Sequence, residues 1–174
     1  MPEKQKRERG LVFKGKLLTL YRRTARLPNG YVAHLEVIKH PGAALVIPFL
    51  DKNHILILRQ LRPVVNSYLY ELPAGTLNKG EPPLACARRE IIEETGYSAQ
   101  KFTRLGEIFP VPGYSTERIV IFKALGLKSR ERKAEQDEII HVQTVSRSRI
   151  KELFRKGKFK DAKTIAALAM VGWL

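Results

Sequence analysis

Apolar and polar positions alternate at Leu11 to Tyr21 and again at Tyr31 to Ile38, with Pro28-Asn29-Gly30 between them. Period-two alternation on either side of an Asn-Gly turn predicts an N-terminal antiparallel β-ribbon. Short apolar runs follow at Ala43 to Phe49, His54 to Leu58, Tyr68 to Leu72, Ile119 to Leu125 and Ile139 to Val145, each bounded by turn or charged residues. These read as sheet strands. A three- to four-residue period appears at Pro83 to Thr95, Arg147 to Lys156 and Asp161 to Trp173, predicting three helices. Strands outnumber helices and the two are interspersed, so the expected class is α/β (α+β) around a mixed sheet. No internal repeat or linker interrupts the pattern.

Composition narrows the class. The 174 residues suit one domain, and 44% hydrophobic content is enough for a core. Cys86 is the single cysteine, which excludes an intramolecular disulfide and suits a reducing, cytoplasmic setting. No apolar run approaches membrane-spanning length, and the basic residues before Gly10 precede no signal-like apolar segment. Residues 1–9 are expected to be disordered. The formal net charge is +15, unevenly spread: Glu71 to Glu94 carries −2, whereas Arg147 to Lys163 carries +6. An acidic island in a basic chain could steer an anionic substrate inward, although solvated Lys/Arg faces account for most of the excess.

The acidic island has a defined chemistry. Pro82 and Pro83 suit a first helical turn and Gly96 a C-terminal cap, and Glu90, Glu93 and Glu94 fall three and four residues apart on one face. Like charges so placed repel unless a cation joins them. All-oxygen donors favour Mg²⁺, or Mn²⁺ in its place, completed by water and phosphate oxygens. Gly75 allows backbone to approach such an ion. The four histidines, His34, His40, His54 and His141, lack metal-ligand spacing, and Gly10 to Lys16 fails as a phosphate loop because Leu17 stands where Ser or Thr is needed.

Gly75, Glu81, Arg89-Glu90-Ile91, Glu93-Glu94 and Gly96-Tyr97, at their spacings of five, seven, one and one intervening residues, resemble the signature of the Nudix hydrolases at every defined position. Leu58-Arg59-Gln60-Leu61-Arg62, Glu71-Leu72-Pro73-Ala74-Gly75 and Pro112 are similar to the ADP-ribose pyrophosphatase branch. The resemblance implies an α/β/α sandwich, with a ribbon at residues 10–40 that pairs two subunits and a hydrolase domain at 41–174.

The resemblance also implies roles. Glu90 and Glu94 are the leading metal ligands and the Ala74 carbonyl a backbone ligand; Glu93 is a further ligand or a partner of metal-bound water. Arg89 orients carboxylates, and Glu81 supports that network or reaches metal through water. Glu138 is the first candidate for general base and Glu135 the second, each weighed against a plain acidic turn before a strand. Arg62, and less strongly Arg59, are candidates for substrate phosphate. Glu71, the loop through Pro112 and Gly113, and Glu117 complete the substrate-binding set. The implied reaction is Mg²⁺-dependent hydrolysis of ADP-ribose to AMP and ribose 5-phosphate by a cytoplasmic homodimer. Another nucleoside diphosphate sugar such as GDP-mannose is the nearest alternative. An RNA 5′-pyrophosphohydrolase and a non-catalytic nucleotide-sensing regulator stand further off, and neither a nucleic-acid nor a membrane partner is expected.

Overall fold

The computed structural model describes residues 10–132 and 138–174. The strands are β1 (Leu11–Lys14), β2 (Thr19–Arg26), β3 (Val32–Lys39), β4 (Ala43–Pro48), β5 (His54–Arg62), β6 (Ser67–Glu71), β7 (Ala74–Thr76), β8 (Tyr97–Ile108), β9 (Ile119–Ser129) and β10 (Ile140–Ser146). The helices are α1 (Pro83–Thr95), α2 (Arg147–Arg155) and α3 (Ala162–Met170).

The strands form three sheets, ordered β1-β2-β3, β10-β5-β6 and β7-β4-β9-β8. In the third, β4 runs parallel to β9 and antiparallel to β7, so the sheet is mixed as expected. Every residue of β4 is buried. Ala44 and Val46 face a core shared with Cys86, Ala87 and Ile91 of α1, while Leu45 and Ile47 face a core shared with Ile55, Ile57, Ala167 and Leu168. Burial on both faces explains the unbroken apolar run. The domain is layered, with α1 on one side and α2 and α3 on the other.

Helix α1 has the boundaries its residues predict. Pro82 is extended at the N-cap, Pro83 occupies the first turn, and Gly96 caps the other end at φ 73°, its amide donating to Ile92 O.

One expectation is corrected, and two strands lie where no local pattern announces them. The apolar run at Leu11 to Tyr21 is two strands, because Gly15 and Leu18 close a turn, so the ribbon is a three-stranded sheet. Strand β7 lies where glycine and proline suggest a loop; pairing with Ala43, Ala44 and Leu45 holds it extended. Strand β8 has no clean alternation and carries charged residues, yet ten of its residues pair with β9, with a bulge between Arg104 and Gly106. Tertiary pairing overrides its weak local pattern.

Candidate functional site

Strand β7 lies beside the C-terminal half of α1, and the site begins at that contact. A Cβ added to Gly75 would stand 1.7 Å from Glu90 Oε1. Glycine is therefore the residue that lets the Glu90 carboxylate lie against the β7 backbone. One turn on, Glu94 is 2% exposed and accepts a hydrogen bond from the Ala74 amide at 2.9 Å. Cys86 Sγ donates to Gly75 O of β7 at 3.4 Å, and burial pushes its thiol up to about 12, which suits packing rather than nucleophilic work.

Glu90, Glu93 and Glu94 do not converge as a triplet. The Arg89 guanidinium takes Glu90 at 2.6 Å, Glu93 at 2.8 Å, and both oxygens of Glu81 at 3.1 Å, while Nη2 reaches Thr76 O at 3.3 Å. Among the described residues no three His, Cys, Asp or Glu side chains form a ready-made cage for a metal. Glu81 also accepts from the Asn78 amide, and its bond to Arg89 lowers its carboxyl below the ordinary value.

The remaining electrostatics favour a cation. Burial, opposed by Arg89, pushes the Glu90 carboxyl up to about 7. Burial and then the Glu90 charge push Glu94 well above its ordinary value, and Glu138 raises both. Two buried carboxylates beside a backbone that only glycine permits suit a hard divalent ion whose other positions go to water or phosphate.

Two cavities meet here. One, of about 280 Å³, is lined by Asn78, Arg89, Glu90, Glu93 and Glu138. The other, of about 340 Å³, is lined by Ala43, Pro110, Glu117, Ile119, Asp161 and Lys163, among others. Arg62, Ala74, Gly75 and Thr76 border both. The arrangement is a two-lobed cleft, acidic at one end and charge-balanced at the other.

Several candidate residues fall elsewhere. Arg59 is on the opposite face of β5 from Arg62, as strand alternation requires, and lies 4.6 Å over the Tyr68 ring. It lines neither lobe. Glu71 is 1% exposed; its oxygens take Arg62 at 2.8 and 2.7 Å and Lys163 at 2.5 Å, so it braces cations instead of facing substrate. Pro112 and Gly113 sit at the exposed tip of a turn in which Tyr114 and Ser115 amides donate to Val111 O. Pro110 and Glu117, at the base of the same loop, line the cleft instead. Glu135 lies outside the described residues.

The sequence reading missed Asp161 and Lys163. Asp161 caps α3 through the Thr164 amide, and Lys163 donates to Asp161 at 2.9 Å as well as to Glu71. The available signal was Asp161 followed three residues later by Thr164 at a helix start, which places Lys163 in the first turn.

A NUDIX domain model matches residues 39–168. An ADP-ribose pyrophosphatase of Bacillus subtilis is 36% identical over 159 residues, spanning 90% of this chain and 86% of that protein. A methanol dehydrogenase activator of Bacillus methanolicus is 32% identical over the same shares of the two chains. The crystal structure of an ADP compounds hydrolase superposes with a TM-score of 0.79 at 22% identity, covering 92% of this chain and 88% of that one, a likeness of fold. The domain match and the B. subtilis relative together show that the chain belongs to the NUDIX hydrolase family, whose members generally use divalent metal ions.

Proposed function

We propose that the protein hydrolyses the diphosphate bond of ADP-ribose, giving AMP and ribose 5-phosphate, with Mg²⁺ as its metal and Mn²⁺ as a substitute. The observation that carries this reading is the Gly75 cradle, which seats Glu90 against β7 on the acidic lobe of a cleft that continues past Arg62, with Glu94 buried nearby on the Ala74 amide and lining neither lobe itself. The B. subtilis relative supports the substrate.

In this reading Glu90, Glu94 and the Ala74 carbonyl hold the metal, with Glu93 at its outer edge. The bound ion supplies neutralisation of phosphate charge and makes water a stronger acid. The protein's own groups do the rest. Arg89 ties Glu81, Glu90 and Glu93 to one guanidinium and so orients their carboxylates. Arg62, at the junction of the lobes, holds the diphosphate by charge-assisted hydrogen bonds. Glu138, on the acidic lobe, takes the proton of the attacking water. Glu117 and the apolar wall of Ala43 and Ile119 receive part of the nucleotide sugar in the second lobe.

Residues 41–174 make the catalytic domain in this proposal, and the N-terminal sheet pairs two subunits. Val12, Phe13, Val32 and Leu35 are large apolar side chains left exposed on that sheet, a composition suited to an interface. Sedimentation should then give a dimer. Among the described residues no helix is long and apolar enough to cross a membrane. With its single buried cysteine the protein fits a cytoplasmic setting.

The test is a comparison of kcat/KM with Mg²⁺ for ADP-ribose, GDP-mannose, NADH, a diadenosine polyphosphate, dGTP and 5′-triphosphate RNA. ADP-ribose should lead. A different leading nucleotide sugar would replace the substrate but keep the reaction, and no turnover of any would overturn the proposal in favour of a nucleotide-sensing regulator.

A further inference from the structure

Lys163 stands in the first turn of α3, two residues after the N-cap Asp161. That position is unfavourable for a cation, because the N-terminal end of a helix carries partial positive charge. A lysine placed only to stabilise the fold has little reason to be there. Its side chain is 18% exposed, and the ammonium donates to Glu71 at 2.5 Å and Asp161 at 2.9 Å. Glu71 accepts two further bonds from Nε and Nη2 of Arg62. One buried carboxylate thus braces two cations, Arg62 from β5 and Lys163 from α3, the latter 92 residues away in sequence, and both cations border the same lobe of the cleft.

Geometry distinguishes what each cation does. Arg62 uses one edge of its guanidinium on Glu71, and the planar fork leaves other N–H groups for an anion. Lys163 divides its bonds between two carboxylates, which neutralise it locally. Arg62 is therefore the group suited to meet substrate, and Lys163 the group that fixes the carboxylate behind it. Leu72 donates from its amide to Thr164 Oγ at 2.9 Å, tying the start of α3 to the end of β6 and fixing the distance between Lys163 and Glu71.

We propose that Lys163 is a positioning residue for substrate binding, acting through Glu71 to hold Arg62 in the orientation that receives the phosphate of a nucleoside diphosphate. The inference rests on the hydrolase reading above. It adds that an α3 residue outside the signature controls affinity at the junction of the two lobes.

Lys163→Met, close in length and uncharged, should raise KM for ADP-ribose about 10-fold with kcat within about 3-fold, because it loosens a binding group and leaves the acidic lobe intact. Lys163→Arg should restore most of the affinity. In an Arg62→Ala background the same Met substitution should add almost nothing, since its effect passes through Arg62. Thermal denaturation accompanies each variant, and Lys163→Gln, which keeps one donor for Glu71, replaces the Met variant if that one does not fold. An undiminished loss in the Arg62→Ala background would overturn the proposal and make Lys163 a direct contact or a purely structural one. A fall in kcat alone, or a lowered melting temperature with unchanged KM, would also overturn it. Calorimetric binding of AMP to wild type, Lys163→Met, Arg62→Ala and the double variant reads the coupling without turnover. If wild type binds AMP and shows that coupling but does not hydrolyse ADP-ribose, the functional reading fails and the positioning role stands.

Discussion

Glu94 and Glu71 are buried to nearly the same degree, 2% and 1% exposed, and are about as far from solvent as carboxylates in this fold become. Their carboxyls shift in opposite directions. Burial raises Glu94 well above its ordinary value, and its direct partner is a neutral amide, that of Ala74. Burial also works to raise Glu71, but the hydrogen bonds from Arg62 and the charge of Lys163 outweigh it and the net shift is downward. A carboxylate given internal counter-ions is part of the scaffold. One buried with no cation bonded to it, and only the weak long-range charge of Arg62 in its favour, is a place for an added cation, and this contrast separates the metal-holding end of the cleft from its substrate-bracing end.

The comparison breaks first at Glu94. Glu94→Gln removes a charge without changing shape and should lower Mg²⁺-dependent turnover by at least about 10³-fold, because the activating ion loses a ligand. The fold should not suffer. In chelator near pH 7 the variant should melt at or above the wild-type temperature, since a carboxyl whose folded value is raised destabilises the folded state once pH exceeds its unfolded value. Near wild-type turnover with unchanged metal dependence would remove Glu94 from the site.

Glu138 sits on the same acidic lobe, and its charge raises both Glu90 and Glu94. Glu138→Gln should lower kcat about 10²- to 10³-fold, with AMP binding kept, as expected for loss of a general base. An unchanged kcat would move the base to another residue, and equal losses in AMP binding would make Glu138 a binding group.

Gly75→Ala tests the cradle itself. The new Cβ overlaps Glu90 Oε1 at 1.7 Å and Cδ at 2.0 Å, so the carboxylate or the β7 backbone must move. A loss of roughly 10- to 100-fold in apparent Mg²⁺ affinity is expected, comparable to disturbing the groups that orient metal ligands. Unchanged Mg²⁺ dependence would show that Glu90 does not need that approach.

The two ends of the cleft also differ in how much of them the chain reveals before it folds. The acidic end is almost continuous in sequence, since Gly75 through Glu94 lie on one strand, one loop and one helix whose limits follow from Pro83 and Gly96. Local geometry suffices to bring them together, although it did not show that Arg89 would divide Glu93 from Glu94. The other end draws on β4, β5, the loop at Pro110 to Glu117, and α3, and no local pattern joins these. Arg59 and Arg62 look equivalent in sequence, and strand parity alone sends one to Tyr68 and the other to the cleft. Glu71 resembles a substrate contact until its two counter-ions are in place. The fold shows the same division: β4 was legible from its apolar run, while β8 depends on β9 for its extended form.

Glu71→Gln gives the sharpest test of sign. Loss of a charged partner to Arg62 and Lys163 should destabilise the fold by roughly 1.5 to 3 kcal/mol near pH 7, the range for hydrogen bonds to charged groups. Because the folded carboxyl of Glu71 lies below its ordinary value of 4.5, the stabilisation is fully present above that pH and is lost as pH falls through the folded value. The melting-temperature gap between wild type and Glu71→Gln should therefore be constant from about pH 8 down to about pH 6 and narrow below about pH 4.5. Glu94→Gln in chelator should show the reverse, with its advantage shrinking as acid protonates the wild-type carboxyl. A gap for Glu71→Gln that widened in acid would mean that burial prevails over Arg62 and Lys163. The two glutamates would then belong to one class, and the division of the cleft into a metal-holding end and a substrate-bracing end would fail.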